Sequence, residues 1–132
     1  MFIRDIRDCE YFTSLDNTVL CELLHPTNEP EELAIRFSIA HAIVKPGETT
    51  RPHRLKTSVE IYYILEDEGE MCIEDETAAV RSGQTVYIPP NSTQHIRNTG
   101  DSDLKFLCIV DPLWKREDEE LAEEGTSNSG GV

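Results

Sequence analysis

The stretch GETTRPHRLKTSVEIYYILEDEG, residues 47–69, decides how this chain folds. Its segment from Val59 to Leu65 is rich in β-branched and aromatic residues, which predicts a β-strand. Because successive side chains of a strand point to opposite faces, Glu60 and Tyr62 share a face. The acidic run that follows ends at a glycine and predicts a turn. His53 lies in the loop before this strand, so a histidine and a carboxylate are expected close together at one end of it.

A second polar stretch, GQTVYIPPNSTQHIRN at residues 83–98, is the expected partner of the first. Further short strands are predicted at residues 18–26, 33–44, 70–74, 78–81 and 104–110. Gly, Pro, Asn and Asp separate them, and no helical periodicity persists over this region. Such a pattern is typical of an all-β protein, either an antiparallel barrel or a sandwich.

The clearest alternation runs through LAIRFSIAHAIV, residues 33–44. Ile39, His41 and Ile43 fall on one face, and small or polar residues fall on the other. The pattern predicts that the isoleucine face is buried, which places His41 inside the fold. A histidine there is either a hydrogen-bonded core residue or a ligand, and both interpretations stay open.

Length and charge limit the possible partners. The 132 residues suit one domain, and no apolar run approaches the roughly 20 residues of a membrane-spanning helix. The formal net charge of −14 disfavours nucleic acid and anionic membrane surfaces as partners. The first ten residues lack the apolar core of a signal peptide, so a cytoplasmic protein is expected. The four cysteines have no CxxC spacing and are expected to be reduced thiols.

The two polar stretches resemble the two motifs of the cupin superfamily of small β-barrels. The first family motif is G-x5-H-x-H-x(3–4)-E-x6-G, and the second is G-x5-P-x-G-x2-H-x3-N. The residues at the motif positions are Gly47, His53, Leu55, Glu60 and Asp67, then Gly83, Pro89, Asn91, Gln94 and Asn98. The resemblance covers about residues 33–111. It implies an all-β fold of the double-stranded β-helix type, the jelly-roll cupin barrel.

The sequence also predicts an organisation of the whole chain. Residues 1–32 are expected to form an N-terminal arm or strand that packs on the barrel, which spans residues 33–112. Residues 113–132 include the acidic run EDEELAEE and are expected to form a flexible tail that begins with a frayed helical turn. Single-domain cupins commonly pair through their sheets, so the resemblance implies a homodimer.

The departures from the motifs concern the metal site. In the family, two histidines and the glutamate of the first motif, with the histidine of the second, usually bind one divalent metal. This chain keeps His53 and Glu60 but has Leu55 and Gln94 at the other two places. His95 follows one residue later and would reach the interior only through a β-bulge.

The sequence leaves open whether Gln94 or His95 faces the interior. The candidate metal ligands are therefore His53, Glu60, Gln94, His95 and His41. Imidazole and carboxylate ligands suit Zn, Fe, Mn, Ni or Cu.

Two functions follow from this site. The first is a metal-dependent enzyme acting on a small polar molecule, and the resemblance implies an isomerase, an epimerase or a dioxygenase. Glu60 and Tyr62 are then the candidate catalytic residues, with Glu60 as a ligand or a base. The alternative is a metal-free, non-catalytic cupin in which the same polar residues surround a small ligand. Fold resemblance does not decide between them.

Overall fold

The computed structural model describes residues 1–122, and this part of the chain is built almost entirely from β-strands. The strands are β1 Phe12–Thr13, β2 Val19–Leu24, β3 Ser38–Val44, β4 His53–Leu55, β5 Val59–Glu66, β6 Glu68–Ile73, β7 Glu76–Arg81, β8 Thr85–Ile88, β9 Gln94–Asn98, β10 Leu104–Asp111 and β11 Glu119–Leu121. Two short 3-10 helices span Ile6–Asp8 and Arg116–Asp118. None of the helices in residues 1–122 has the length and apolar character needed to cross a membrane.

The strands form two antiparallel sheets that face each other. The first sheet has the order β1-β2-β3-β10-β5-β8, and the second has the order β11-β4-β9-β6-β7. Side chains from both sheets meet in one core, in which Ile64 and Phe106 of the first sheet share the interior with Met71 and Ile96 of the second. This arrangement confirms the predicted all-β, jelly-roll barrel.

The pairing register divides the barrel interior into an apolar end and a polar end. Ile64 of β5 lies opposite Phe106 of β10, whereas Glu60 lies opposite Val110 further along the same pair. Tyr62 lies between them, and its ring is 4.5 Å from that of Phe106. Strand β5 therefore supplies the aliphatic side chain of Ile64 to the core and the carboxylate of Glu60 to a cavity. Both side chains lie on the same face of the strand.

The prediction that the isoleucine face of β3 is buried in the barrel was wrong, because the opposite face points inward. Ala40 and Ala42 pair with the inward-facing Cys108 and Phe106, while His41 pairs with Leu107 on the outer face. Alternation tells which residues share a face but not which face is inside, and here both faces carry apolar residues. The alanines face inward because the large rings of Tyr62 and Phe106 fill the space beside them. The strand also begins at Ser38 rather than at residue 33.

His41 is nevertheless buried, because the N-terminal segment covers this part of the outer face. The hydroxyl of Tyr11 lies 2.9 Å from Nδ1 of His41, and their rings meet edge to face. His41 is thus a hydrogen-bonded residue under the N-terminal segment. It does not line the barrel interior.

The segment after the barrel corrects the prediction of a flexible tail for residues 113–122. Strand β11 pairs with β4, which places Glu119 opposite Leu55 and Leu121 opposite His53. The carboxylate of Asp118 accepts hydrogen bonds from the backbone N–H groups of Thr57 and Ser58 at 2.9 and 3.2 Å. These contacts hold the segment against the loop between β4 and β5. The remainder of the predicted tail, residues 123–132, lies outside the described part.

Four motif positions share one backbone feature. Gly47 and Gly83 have positive φ values of 79° and 89°, in the left-handed region that favours glycine. Asp67 and Asn91 stand where the family motifs have glycine, and their φ values are also positive, at 69° and 62°. Asp and Asn tolerate this conformation better than other side chains do. The motifs therefore describe four left-handed turns, and the two substitutions preserve them.

Phe106 tests the assignment of the core. Replacing Phe106 with alanine is expected to lower the free energy of unfolding by about 3–5 kcal/mol, because a ring that is 1% exposed leaves a cavity. Lys105→Ala, on the outer face of the same strand, is the matched control and is expected to cost much less. Urea denaturation followed by circular dichroism measures both variants. Equal losses would mean that the interior has been assigned to the wrong face.

Candidate functional site

A cavity of about 220 Å³ lies between the sheets at the polar end of the barrel. Strands β4, β5 and β10 supply its floor, and two segments outside the motifs close it, one before β2 and one after β10. Its charged lining residues are Asp16, His53, Glu60, Arg116 and Glu119. Most of the remaining lining is apolar or aromatic, so these charges face one another across a poorly hydrated space.

Glu60 is held by a chain of two hydrogen bonds. Nε2 of Gln94 donates to Oε1 of Glu60 at 2.9 Å, and the hydroxyl of Tyr62 donates to Oε1 of Gln94 at 2.8 Å. Burial raises the pKa of Glu60 to about 7, although His53 and Gln94 favour the charged form. A carboxyl group with such a pKa can accept or donate a proton near neutral pH.

His53 lies on β4 with its ring buried and oriented from one side. Its Nδ1 is 2.9 Å from the backbone oxygen of Arg51 and 3.3 Å from Oδ2 of Asp16. The carbonyl oxygen only accepts, so Nδ1 carries the hydrogen and Nε2 is left for another partner. Burial lowers the pKa of His53, but the carboxylates of Asp16 and Glu60 raise it, and the net shift is upward.

Asp16 comes from the turn between β1 and β2. Its carboxylate accepts hydrogen bonds from the hydroxyls of Ser14 and Thr18, the latter at 2.8 Å. The backbone oxygen of Asp16 accepts from the N–H of Arg51 at 2.8 Å, which fixes the turn beside β4. This local network aims the side chain at His53.

Glu119 comes from β11, the strand paired with β4. Its Oε1 accepts a hydrogen bond from Nε1 of Trp114 at 2.7 Å. Burial raises the pKa of Glu119, while His53 and Trp114 lower it, and the net shift is upward. In the pairing register Glu119 faces Leu55, the residue at the place of the second motif histidine. A carboxylate on a neighbouring strand thus stands near the missing imidazole.

Asp16, His53 and Glu119 form a cluster suited to a metal ion. One potential ligand atom from each lies within 4.8 Å of the others. The donor set of one imidazole and two carboxylates fits a divalent transition metal. The family's usual set does not fit, since Leu55 has no donor and both ends of the Gln94 amide are already hydrogen-bonded.

The predicted site residues separate into two groups. His53, Glu60, Tyr62 and Gln94 meet at the polar end of the interior, and Gln94 is 1% exposed. His95 pairs with Cys72 on the other face of β9 and points away from them, since no bulge interrupts the β6–β9 register there. The open choice between Gln94 and His95 is thereby decided for Gln94. His41 lies on the outer face of the other sheet, as described above.

Sequence reasoning missed Asp16 and Glu119. Asp16 stands in SLDNT, a composition typical of a turn, where an aspartate usually satisfies backbone groups. Glu119 is one of several acids in a row, and nothing in the sequence distinguishes it from a solvated neighbour. The sequence signal for this segment was Trp114. A large aromatic side chain is expected to pack against the barrel, which brings the residues after it close to the barrel as well.

Together the fold and the site define a small antiparallel barrel with a polar cavity at one end. A model of the cupin domain matches residues 40–110, more than half of the chain. An uncharacterized protein, MJ1618 of Methanocaldococcus jannaschii, is 40% identical over 112 residues, which cover 85% of this chain and 87% of that protein. The chain therefore belongs to the cupin family.

More distant relatives carry functional descriptions. An oxalate-binding protein of Thermotoga maritima is 31% identical over 65 residues, which cover 49% of this chain and 54% of that protein. Among solved structures, a predicted oxalate decarboxylase from Thermotoga maritima has a TM-score of 0.71 at 21% identity, covering 83% of this chain and 97% of its own. The nucleoside dehydratase Pac13 of Streptomyces has a TM-score of 0.73 at 15% identity, covering 92% and 91%. At these identities the structures support the fold alone.

Glu60 should make stability depend on pH. Its pKa of about 7 in the folded protein exceeds its usual 4.5, so the folded state holds the proton more tightly than the unfolded state does. Stability from this group is complete below about pH 4.5 and is lost as the pH rises to about 7, by up to about 3 kcal/mol. Relative to Glu60→Gln, the wild-type protein should therefore lose stability over this range.

Urea denaturation in EDTA, at several pH values, measures this difference. Glu66→Gln removes an exposed carboxylate from the same strand and is the matched control, because it should keep the wild-type profile. If the difference between wild type and Glu60→Gln stays constant with pH, the carboxyl group is not buried as described.

Proposed function

We propose that this chain binds a divalent metal ion and a small polar molecule inside the barrel, with Asp16, His53 and Glu119 as the metal ligands. The observation that carries the proposal is the approach of their three ligand atoms to within 4.8 Å. These residues come from three separate segments, and all of them line the same cavity. Surface acids cluster often without a metal, but Asp16 and His53 are buried.

The donor chemistry limits the choice of metal. Two carboxylates and one imidazole favour Mn, Fe or Zn among the first-row ions, whereas Cu and Ni usually prefer more nitrogen. Such a metal, when bound, supplies a Lewis acid that polarises a substrate oxygen. His53 is prepared to be a ligand because Nδ1–H is directed to the backbone oxygen of Arg51, an arrangement that orients metal-binding histidines in general.

Glu60 supplies the proton-transfer group in this proposal. It is buried beside the cluster but is hydrogen-bonded to Gln94, which occupies the place of the third family histidine. Tyr62 fixes the amide of Gln94, and so the direction in which it donates. This arrangement favours an isomerase or epimerase over a dioxygenase, because a carboxyl group with a pKa of about 7 exchanges protons readily. The relatives described as binding oxalate or dehydrating a nucleoside are consistent with a small polar substrate.

A second candidate function is a metal-free binding site, and one contact favours it. Oδ2 of Asp16 lies 3.3 Å from Nδ1 of His53, which is an ion pair if the histidine is protonated. The upward shift in the pKa of His53 acts in that direction. In this version the charged imidazole balances the carboxylates, and the same cavity holds the ligand without a metal.

Metal titration separates the two candidates. Purified without chelator and then titrated with Mn²⁺ or Zn²⁺ in a calorimeter, the protein should bind one equivalent. Asp16→Asn, His53→Ala and Glu119→Gln should each weaken binding by more than about 100-fold, since even the partners of metal ligands contribute 10- to 100-fold. Glu120→Gln is the matched control, because Glu120 is on the same strand but pairs with Arg54 at 2.7 Å.

Two results would contradict the metal site. One is a wild-type protein that takes up no metal after reconstitution. The other is a Glu119→Gln variant that binds as tightly as Glu120→Gln. In either case, thermal stabilisation by a small ligand that persists in EDTA would support the metal-free alternative.

We also propose a homodimer through the outer face of the first sheet. Tyr63 and Leu65 of β5 are exposed there beside Tyr87 of β8, which is 58% exposed. Tyr87 and Ile61 are paired residues, so the side chains form a continuous apolar surface across two strands. Exposed apolar patches of this kind mark interfaces more often than chance.

Light scattering at micromolar concentration measures the oligomeric state. The wild-type protein should have the mass of a dimer, and Tyr63→Glu should have that of a monomer, because it places a charge in the patch. His95→Glu on β9, on the outer face of the other sheet, is the control and should remain dimeric. A monomeric wild-type protein rules the dimer out.

A further inference from the structure

The cavity has a charge balance that changes when a metal is bound. Asp16 and Glu119 carry two negative charges, which a divalent ion offsets, and a metal-bound His53 is neutral. Glu60 is hydrogen-bonded to the amide of Gln94. Among the described lining residues, the cationic side chain that is left is the guanidinium of Arg116. Resting on the metal site proposed above, this balance makes the loaded cavity ready for an anion.

Arg116 is placed at the entrance of the cavity. It is exposed, as is Phe12, whereas Phe106 and Val110 at the floor are 1% and 5% exposed. Among the described residues, no hydrogen bond or ion pair engages the Arg116 guanidinium. The nearby Arg54, by contrast, is paired with Glu120 at 2.7 Å. Arg116 acts only at longer range, through its charge on Glu119.

The walls between the entrance and the floor are apolar. Phe12, Leu20 and Trp114 line the cavity together with Arg116 and the buried polar groups. A volume of about 220 Å³ is smaller than the cavities of about 300–1,000 Å³ that hold drug-sized ligands. The ligand is therefore a small molecule with an apolar middle.

We propose that this ligand is a small carboxylic acid whose carboxylate binds Arg116 at the entrance. Its apolar body lies against Phe12 and Trp114, and its other polar end reaches His53 and Glu60. Guanidinium and carboxylate groups match in shape and form paired, charge-assisted hydrogen bonds. A singly charged carboxylate matches the single positive charge of Arg116, whereas a doubly charged phosphate would leave excess negative charge in a cavity that also contains Glu60. The binding energy between Arg116 and the ligand's carboxylate then helps to position the other end of the ligand beside His53 and Glu60.

Three probes of one shape test the proposal. They are 4-hydroxyphenylacetate, its neutral amide 4-hydroxyphenylacetamide and the amine tyramine. In calorimetric titrations of the Mn²⁺-saturated protein, the acid should bind at least about 10-fold more tightly than the amide, the factor that one charge-assisted hydrogen bond supplies. Tyramine should bind most weakly of the three.

Arg116→Gln should abolish this preference, so that the acid and the amide bind equally, and Arg116→Lys should restore part of it. Lys115→Gln is the matched control, because Lys115 is the adjacent cation and lines a different surface cleft. The control should keep the full preference for the acid.

The affinity of each variant for Mn²⁺, measured separately, keeps this proposal distinct from the metal site. If Arg116→Gln binds Mn²⁺ normally and loses the preference, the carboxylate site is supported. If the wild-type protein binds no metal but still prefers the acid through Arg116, the metal proposal fails and this one stands. Tighter binding of the amide or of tyramine overturns it, as does a preference that survives Arg116→Gln. Failure of all three probes to bind at concentrations up to about 10 mM overturns it too.

Discussion

The structure depends on keeping several ionisable groups inside one barrel whose walls are mostly apolar. A buried carboxylate is costly unless it is hydrogen-bonded, paired with a cation or protonated. Each of the three acids meets this constraint differently. Glu60 is hydrogen-bonded to Gln94 and has a raised pKa, Asp16 is surrounded by hydroxyl donors, and Glu119 receives the indole N–H of Trp114. His53 lies among them and is the one cation that can form within the cluster.

This constraint explains why Leu55 and Gln94 are compatible with a functional cavity. Gln94 stands at a place where the family motif has histidine, and its amide donates a hydrogen bond to Glu60. Leu55 removes a donor from the floor, while Glu119 approaches from the strand paired with it. The barrel remains the same because backbone geometry, and not the ligand set, determines its turns.

Much of the fold could be predicted because its signals are local. The strand from Val59 to Leu65 alternates clearly, and the motif spacing fixes where the turns fall. Asp67 and Asn91 differ from the glycines of the family motifs, but their backbone has the same left-handed conformation. The inner face of β3 could not be predicted, since isoleucine and alanine are both acceptable in a core. Which face is inside depends on the large rings of Phe106 on the neighbouring strand and Tyr62 on the strand after it, and these are contacts distant in sequence.

The site was predictable only where it lies within the motifs. His53, Glu60, Tyr62 and Gln94 follow from spacing, but Asp16 and Glu119 depend on how the two ends of the described chain return to β4. An acidic run looks the same in a sequence whether it is solvated or folded onto a barrel. Pairing of β11 with β4 distinguishes Glu119 from its neighbour Glu120, and that pairing is a tertiary contact.

The position of β11 has a consequence for how the cavity opens. β11 is a three-residue strand at the edge of its sheet, and within residues 1–122 its strand partner is β4 alone. Short elements with few neighbours open locally at a lower free-energy cost than strands paired on both sides. Such an opening takes Glu119 away from His53 while the pairs that β5 makes with β8 and β10 stay intact. The integrity of the barrel and the completeness of the cavity are therefore set by two different free energies.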